Sequence, residues 1–158
     1  MAKYETTLYV ARSLEATFAF ISDFRNAVKW DPRTYAVEKI TPGPIGPGTT
    51  FLLTGGMLPK SLPLPRALLR GMPLAYEVVS YEPPHRLVLK GQTAFLSYED
   101  RIEFAASGTG TSVTYSARLD LRGVLAIGEP ALRLLFKKIG DDATQDIPAV
   151  VMRAGEHA

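Results

Sequence analysis

The chain has 158 residues, of which 46% are hydrophobic and 22% charged, and its formal net charge is +2. This length fits one domain with a single core, and so small a charge gives no support for a nucleic-acid-binding protein. The absence of cysteine excludes disulfides and thiolate chemistry. Residues 1–13 lack the apolar run of a signal peptide, and no stretch approaches the roughly 20 apolar residues of a membrane helix. We therefore expect a cytoplasmic protein without an integral membrane segment.

The N-terminal part of the chain predicts a strand followed by two short helices. Residues 4–12 are rich in β-branched and aromatic side chains, which favour a strand. Ser13 is a suitable N-cap for a helix whose apolar residues then recur at helical spacing. Asp23 can cap a second helix, which Pro32 ends because the residue before a proline avoids the helical conformation.

The middle of the chain predicts six further strands, at 34–41, 48–54, 74–81, 86–93, 97–106 and 111–122. The last segment is the clearest, because its apolar and polar residues alternate and so give one buried and one solvated face. The glycine-rich "GPIGPGTTF" (43–51) between the first two segments lacks the Lys-Ser/Thr ending of a phosphate loop. We interpret it as a structural turn.

The C-terminal part predicts one long helix that is interrupted near its end. An apolar stripe at helical spacing extends from Leu132 to Val150, and Pro130 suits a first turn. Pro148 lacks an amide donor and clashes with the carbonyl of Thr144, so the helix should bend or restart there. Strand, two helices, six strands and a helix in this order indicate an α+β domain with an antiparallel sheet.

Four segments, "RSLEATFAFISDFRNAVKWDP" (12–32), "VEKITPGPIGPGTTF" (37–51), "YEVVSYEPPHRLVL" (76–89) and "ARLDLRG" (117–123), resemble the START-like superfamily, also called SRPBCC, in its polyketide cyclase/dehydrase branch. The resemblance covers nearly the whole chain, 1–158, and implies a single helix-grip domain. In that α+β fold a seven-stranded antiparallel curved sheet wraps around a long C-terminal helix, two short helices follow strand 1, and an apolar cavity lies between sheet and helix.

The resemblance leaves three functions open, because the superfamily has no universal catalytic residue. The first is a carrier or sensor that binds a small hydrophobic or aromatic ligand, such as a lipid or polyketide, in the internal cavity. The second is a polyketide cyclase/dehydratase-type enzyme. The third is a protein-interaction module of the cochaperone-activator type. None of the three requires a cofactor, and none is expected.

Asp100 is the most unusual polar residue of the predicted sheet. With residues 107–110 as a four-residue hairpin loop, Asp100 lies opposite Ala117 on the apolar face. The same pairing places Tyr98 opposite Leu119. A buried carboxylate without a partner is costly, so it should protonate or be hydrogen-bonded.

The partner of Asp100 depends on the register of the two preceding strands. Lys90 lies opposite it in one register, and Leu89 does so after a slip of one residue. Asp100 is then either a strand-end carboxylate paired with a basic residue, or a ligand contact or acid/base group. Asp100 and Tyr98 are the only candidates for catalysis.

The candidate ligand-binding residues combine aromatic, aliphatic and acidic side chains: Trp30, Tyr98, Asp100, Tyr115, Ala117, Leu119 and Phe136. For the tryptophan and the two tyrosines, ordinary core packing is the alternative interpretation. The two histidines, His85 in a turn and His157 in the tail, do not supply the three or four ligands of a zinc site, so no metal is predicted.

Residues 55–73, "GGMLPKSLPLPRALLRGMP", form an enlarged apolar hairpin insert with three basic residues and no acid. Its leucines and methionines should be buried, because leaving seven such side chains in water forgoes on the order of 10 kcal/mol. Residues 65–71 could form one or two helical turns. The insert is a satellite core, a lid over the cavity, or a homodimer interface. The candidate lid or interface residues are Met57, Leu62, Leu64, Leu68, Leu69 and Met72.

Overall fold

A computed structural model describes residues 1–55, 71 and 73–157. Seven strands are formed by the described residues: β1 Ala2–Val10, β2 Thr34–Lys39, β3 Thr50–Gly55, β4 Pro73–Glu82, β5 Arg86–Gln92, β6 Leu96–Ser107 and β7 Gly110–Leu121. The helices are α1 Leu14–Ser22, α2 Ala27–Trp30, α3 Glu129–Thr144 and α4 Ile147–Glu156, with 3-10 helices at Phe24–Asn26 and Gly123–Gly128.

The strands form one antiparallel sheet in the order β1-β7-β6-β5-β4-β3-β2. Each strand from β2 to β7 pairs with its sequence neighbour, and β1 completes the sheet by pairing with β7. The sheet curls around the C-terminal helical segment, where α3 and α4 both contact β1. The predicted helix-grip fold is confirmed.

The register of the central strands places the acid on the inner face. Asp100 pairs with Ala117, as predicted, and the loop is tighter than expected because Ser107 pairs with Gly110. On the other side Leu89, not Lys90, is opposite Asp100. The salt-bridge alternative for Asp100 is therefore wrong.

Lys90 instead faces Glu99 on the outer surface, at 2.9 Å between Nζ and the carboxylate. In the pairing of β5 with β6, Glu99 therefore lies on the outer face beside Lys90, and Asp100 lies on the inner face.

The N-terminal caps form as predicted. Ser13 Oγ accepts a hydrogen bond from the Ala16 amide at 3.3 Å, and Asp23 Oδ1 accepts one from the Arg25 amide at 3.2 Å. The predicted strand at 4–12 is displaced: β1 spans Ala2–Val10 because its pairing with β7 ends at Val10.

The C-terminal helix is interrupted where the proline predicted it. α3 ends at Thr144, and α4 begins at Ile147 with Pro148 in its first turn. The last α3 bond runs from the Gln145 amide to the Asp141 carbonyl, at 3.0 Å. The break therefore spares Pro148 the clash with the Thr144 carbonyl.

The core has a large and a small cluster. The large one, which includes Phe18, Phe51 and Ile102, joins the sheet to α1, α2 and α4. The small one joins β1 to α3 through Tyr4, Leu132 and Phe136. Candidates Met57, Leu62, Leu64, Leu68, Leu69 and Met72 lie outside the described residues, so the lid and interface hypotheses stay predictions.

Candidate functional site

A cavity of about 400 Å³ lies between the inner face of the sheet and α3. Strands β4, β6 and β7 supply its floor, and α2 and α3 supply its walls. The structure places all seven predicted ligand-binding residues on its lining: Trp30, Tyr98, Asp100, Tyr115, Ala117, Leu119 and Phe136. Their alternation on β6 and β7 is what brings the strand residues to one face.

Asp100 is the acidic centre of this cavity and is only 9% exposed. The Tyr115 hydroxyl donates a hydrogen bond to its Oδ2 at 2.7 Å. Burial raises the pKa of the Asp100 carboxyl to about 6, although the hydrogen bond from Tyr115 lowers it and the charges of Asp31 and Glu99 add to the rise. Asp100 can therefore exchange a proton near neutral pH.

Tyr76, which the sequence analysis missed, forms an aromatic pair with Tyr98 in the cavity. Their ring centroids are 4.6 Å apart, and the Tyr98 hydroxyl donates to the Ala75 carbonyl at 2.7 Å. Burial, and then the charge of Asp100, hold the pKa of Tyr76 well above its usual value. The alternation of Leu74, Tyr76 and Val78 in β4 could have identified this tyrosine as inward-facing.

The comparisons with known proteins identify the family. A family described as "Polyketide cyclase / dehydrase and lipid transport" matches residues 1–151. The chain belongs to this family. No curated protein sequence matches it.

Solved structures share the fold of this cyclase/dehydrase and lipid-transport family member at low identity. A START superfamily protein from Mycobacterium smegmatis aligns with a TM-score of 0.75 and 14% identity, covering 98% of this chain and 99% of the other. TTHA0849 from Thermus thermophilus aligns at 0.73 and 13%, covering 96% and 98%. The di-domain ARO/CYC StfQ from the steffimycin biosynthetic pathway aligns at 0.68 and 13%, covering 98% of this chain and 52% of that one.

In this family member the second acid on the cavity lining has a structural role. Asp31 follows α2 and accepts hydrogen bonds from the Arg33 amide at 2.9 Å and from Thr34 Oγ1 at 2.6 Å. Arg33 in turn reaches Asp142 in α3, at 2.9 Å. These contacts fix the corner between α2 and β2, as expected for a turn carboxylate.

Trp30 is both a packing anchor and part of the cavity wall. It is 3% exposed, and its ring lies 6.1 Å from that of Phe20 and 6.4 Å from that of Phe24. The two interpretations of this residue are therefore compatible.

Tyr4, also missed by the sequence analysis, joins β1 to α3 at the cavity edge. Its hydroxyl donates to Asp141 at 2.9 Å and lies 3.0 Å from Thr144 Oγ1. A Cβ atom at Gly140 would lie 2.4 Å from its ring, so only glycine allows this approach. Contacts this distant in sequence leave no local pattern.

Two further findings concern other kinds of site. Across residues 1–55, 71 and 73–157, no group of three His, Cys, Asp or Glu side chains could hold a metal ion. None of the described helices is long and apolar enough to cross a membrane.

Proposed function

We propose that this protein binds a small apolar or aromatic molecule in the cavity and acts as its carrier or sensor. The observation that carries this proposal is an apolar, concave space of about 400 Å³ with a few convergent polar groups. Ligand sites of proteins usually have volumes of roughly 300–1,000 Å³ and this mixture of lining residues. The family description, which names lipid transport, is consistent with it.

The test introduces a larger side chain into the cavity and measures the loss of ligand binding. Ala117 lies on the lining, opposite Asp100, and Ala117→Phe should occupy the space that a ligand needs. Ala105→Phe is the matched control, because Ala105 is exposed. Native mass spectrometry of the purified protein, and calorimetric titration with 2-naphthol, should show binding to wild type and the control only. A leucine variant at 117 serves if phenylalanine prevents folding.

A wild-type protein that carries no molecule and binds neither 2-naphthol nor naphthalene would contradict the proposal. Equal binding by the Ala117→Phe variant would place the ligand elsewhere.

A polyketide cyclase or dehydratase activity is the second candidate, and one observation favours it. Asp100, with a pKa of about 6, and the phenols of Tyr76 and Tyr115 surround the same space. A general acid/base must lie within about 3 Å of the substrate atom that gains or loses the proton. Incubation with a poly-β-ketone thioester should then yield a cyclised or dehydrated product, and Asp100→Asn should abolish it. The protein-interaction alternative would be favoured by a filled core rather than by this cavity.

A further inference from the structure

The open acceptor of Asp100 points to the chemical class of the ligand. Asp100 Oδ2 accepts from Tyr115, and no hydrogen bond reaches Oδ1 from the described part of the chain. The side chain is more than nine-tenths buried, and it lines the cavity. Asp100 lines the cavity, and a carboxylate in a mainly apolar site is costly to leave without a donor, so a ligand that supplies a donor gains affinity there.

The charges around the cavity disfavour an anionic ligand. Among the described lining residues, the basic ones are Arg33, which reaches Asp142 at 2.9 Å, and Arg118, which is exposed. Among the described residues, no basic group without an acidic partner therefore lies beside the charge of Asp100 in the interior. A ligand carboxylate brought to this position would meet a like charge in a poorly solvated space.

The tyrosines add to this preference. The Tyr98 and Tyr115 hydroxyl protons are donated to Ala75 and Asp100, which leaves the Tyr76 hydroxyl to contact the ligand. Tyr76 and Trp30 also line the cavity, and aromatic side chains bind aromatic rings and cations.

We propose that the cavity selects small aromatic or apolar molecules whose polar end donates a hydrogen bond, as a phenol, alcohol or ammonium group does, and rejects free carboxylates. This inference rests on the proposed function and narrows it. Fatty acids and aromatic acids should therefore bind more weakly than alcohols and phenols of the same shape.

The test uses four probes that share one ring system: naphthalene, 2-naphthol, 2-naphthylmethylammonium and 2-naphthoate. Calorimetry on wild type should show at least about tenfold weaker binding of the naphthoate than of the naphthol, the loss expected from about 1.4 kcal/mol of repulsion. Comparing the affinities of 2-naphthol and 2-naphthylmethylammonium shows whether the cavity prefers a neutral hydrogen-bond donor or a cation. Asp100→Asn should reduce the preference for naphthol over naphthoate, expressed as the ratio of their affinities, by a similar factor. Glu103→Gln, on the exposed side of the same strand, should not.

The outcomes separate the two proposals. If wild type carries no molecule after purification and binds none of the four probes, the proposed function fails and this inference fails with it. If it carries a molecule, identification of that molecule by mass spectrometry decides the inference, and a free carboxylic acid would overturn it. If naphthalene binds but wild type holds the naphthoate as tightly as the naphthol, the proposed function stands and the donor preference is wrong. The wild-type comparison alone decides this if Asp100→Asn does not fold.

An independent observation concerns the surface formed by residues 122–138, which we call the 122–138 surface. It exposes five large aliphatic side chains: Val124, Leu125, Ile127, Leu134 and Leu135. Ile127 and Leu134 are 86% and 84% exposed. The same stretch holds four basic residues and one acid, Glu129, which is paired with the N-terminus and Arg133. Lys137 and Lys138 are exposed and form ion pairs with Asp141 and Asp142 on the same helix.

This composition fits an anionic lipid bilayer better than a protein. Exposed aliphatic residues among lysines and arginines are typical of segments that lie in the membrane interface. Aromatic anchors dominate protein interfaces, whereas the one aromatic residue of this stretch, Phe136, is buried.

The position of the surface links it to the cavity. Phe136 and Ile139 of the same helix line the cavity, while Leu134 and Leu135 face outward. We infer that the 122–138 surface docks on anionic membranes and brings the cavity next to the lipid.

Vesicle sedimentation tests this docking. Wild type should sediment with phosphatidylcholine vesicles containing about 30% phosphatidylserine, less so as salt is raised, and weakly with phosphatidylcholine alone. Ile127→Asn with Leu134→Asn should reduce the bound fraction several-fold. Ile40→Asn with Val79→Asn, at exposed sites elsewhere, should not. Absence of sedimentation, equal loss in the control, or a dimer that only the first variant dissociates would overturn the inference.

Discussion

Asp100 is a buried carboxylate that lowers the stability of the fold when it is ionised. The pattern of β6 places it on the inner face, where its neighbours in the cavity lining are mainly apolar. The Tyr115 hydroxyl donates a hydrogen bond to one oxygen of Asp100, but it supplies no positive charge to offset the burial of the carboxylate. Groups of this kind are expected at functional sites, because a structure optimised for stability alone would place an apolar residue there.

Replacing Asp100 with asparagine should therefore stabilise the protein at neutral pH. The folded-state pKa of about 6 exceeds the usual value, so the folded state holds the proton more tightly than the unfolded state does. The stabilisation from this proton is complete below about pH 4 and is lost as the pH rises through 6. At pH 7 the buried charge thus costs on the order of 3 kcal/mol.

Urea unfolding of wild type and Asp100→Asn across pH 4–7.5 checks this expectation. The variant should exceed wild type at pH 7.5, and the difference should narrow towards pH 4. Glu103→Gln, which removes an exposed carboxylate from the same strand, should follow wild type. A constant difference across the range would show that the carboxyl does not titrate as described.

At the scale of elements, the alternation of apolar and polar residues predicted most of the sheet. The cap at Asp23 predicted the break between the two N-terminal helices, and Pro148 predicted the break in the C-terminal helix. Strand alternation assigned the two faces of β6 and β7, and Pro148 marked the end of α3. The 3-10 helix at Gly123–Gly128 was missed, because its apolar side chains face solvent and follow no burial pattern. Alternation fixes which residues share a face but not which residue pairs across strands, so Lys90 and Leu89 could not be separated.

The contacts at the cavity edge were beyond sequence analysis for another reason. Tyr4 meets Asp141 and Thr144, more than 130 residues away, and Tyr98 reaches the carbonyl of Ala75. Such pairs arise from the order of strands in the sheet. The family resemblance implied a seven-stranded antiparallel sheet but no strand order, and local patterns do not specify that order.

Gly91 is a position in β5 where the neighbouring strands leave no room for a side chain. A Cβ atom there would lie 2.1 Å from the Ala75 carbonyl oxygen and 2.4 Å from the Tyr98 ring. Gly91→Ala should displace Tyr98 and break its bond to Ala75, destabilising the fold by about 1–3 kcal/mol. Gly46→Ala is the control, because nothing lies within 4 Å of its Cβ position. Equal thermal midpoints for the two variants would mean that β4 and β5 adjust at little cost.

At the scale of the whole molecule, the cavity separates two parts of the core. The large cluster and the small cluster meet around it, joined by Ala117, which packs against both. Across this cavity of about 400 Å³ the side chains of the two clusters do not pack against each other. A molecule that fills it should therefore stabilise the domain as one unit rather than tighten a single loop.

Ligand binding should consequently raise the thermal midpoint in proportion to occupancy. A ligand at 100 times its dissociation constant adds about 2.7 kcal/mol to the folded state. For a domain of this size that corresponds to a rise of roughly 5–10 °C. Differential scanning calorimetry of wild type with increasing 2-naphthol should show this rise, and Ala117→Phe should show none.

Hydrogen exchange locates the same effect within the chain. Amides of β6, β7 and α3 border the cavity and should exchange more slowly with ligand, whereas the distant turn at residues 82–86 should be unaffected apart from global unfolding. A ligand that raises the midpoint but protects only surface loops would bind outside the cavity. Protection confined to β6, β7 and α3 would instead show that the helix and the sheet hold the ligand between them.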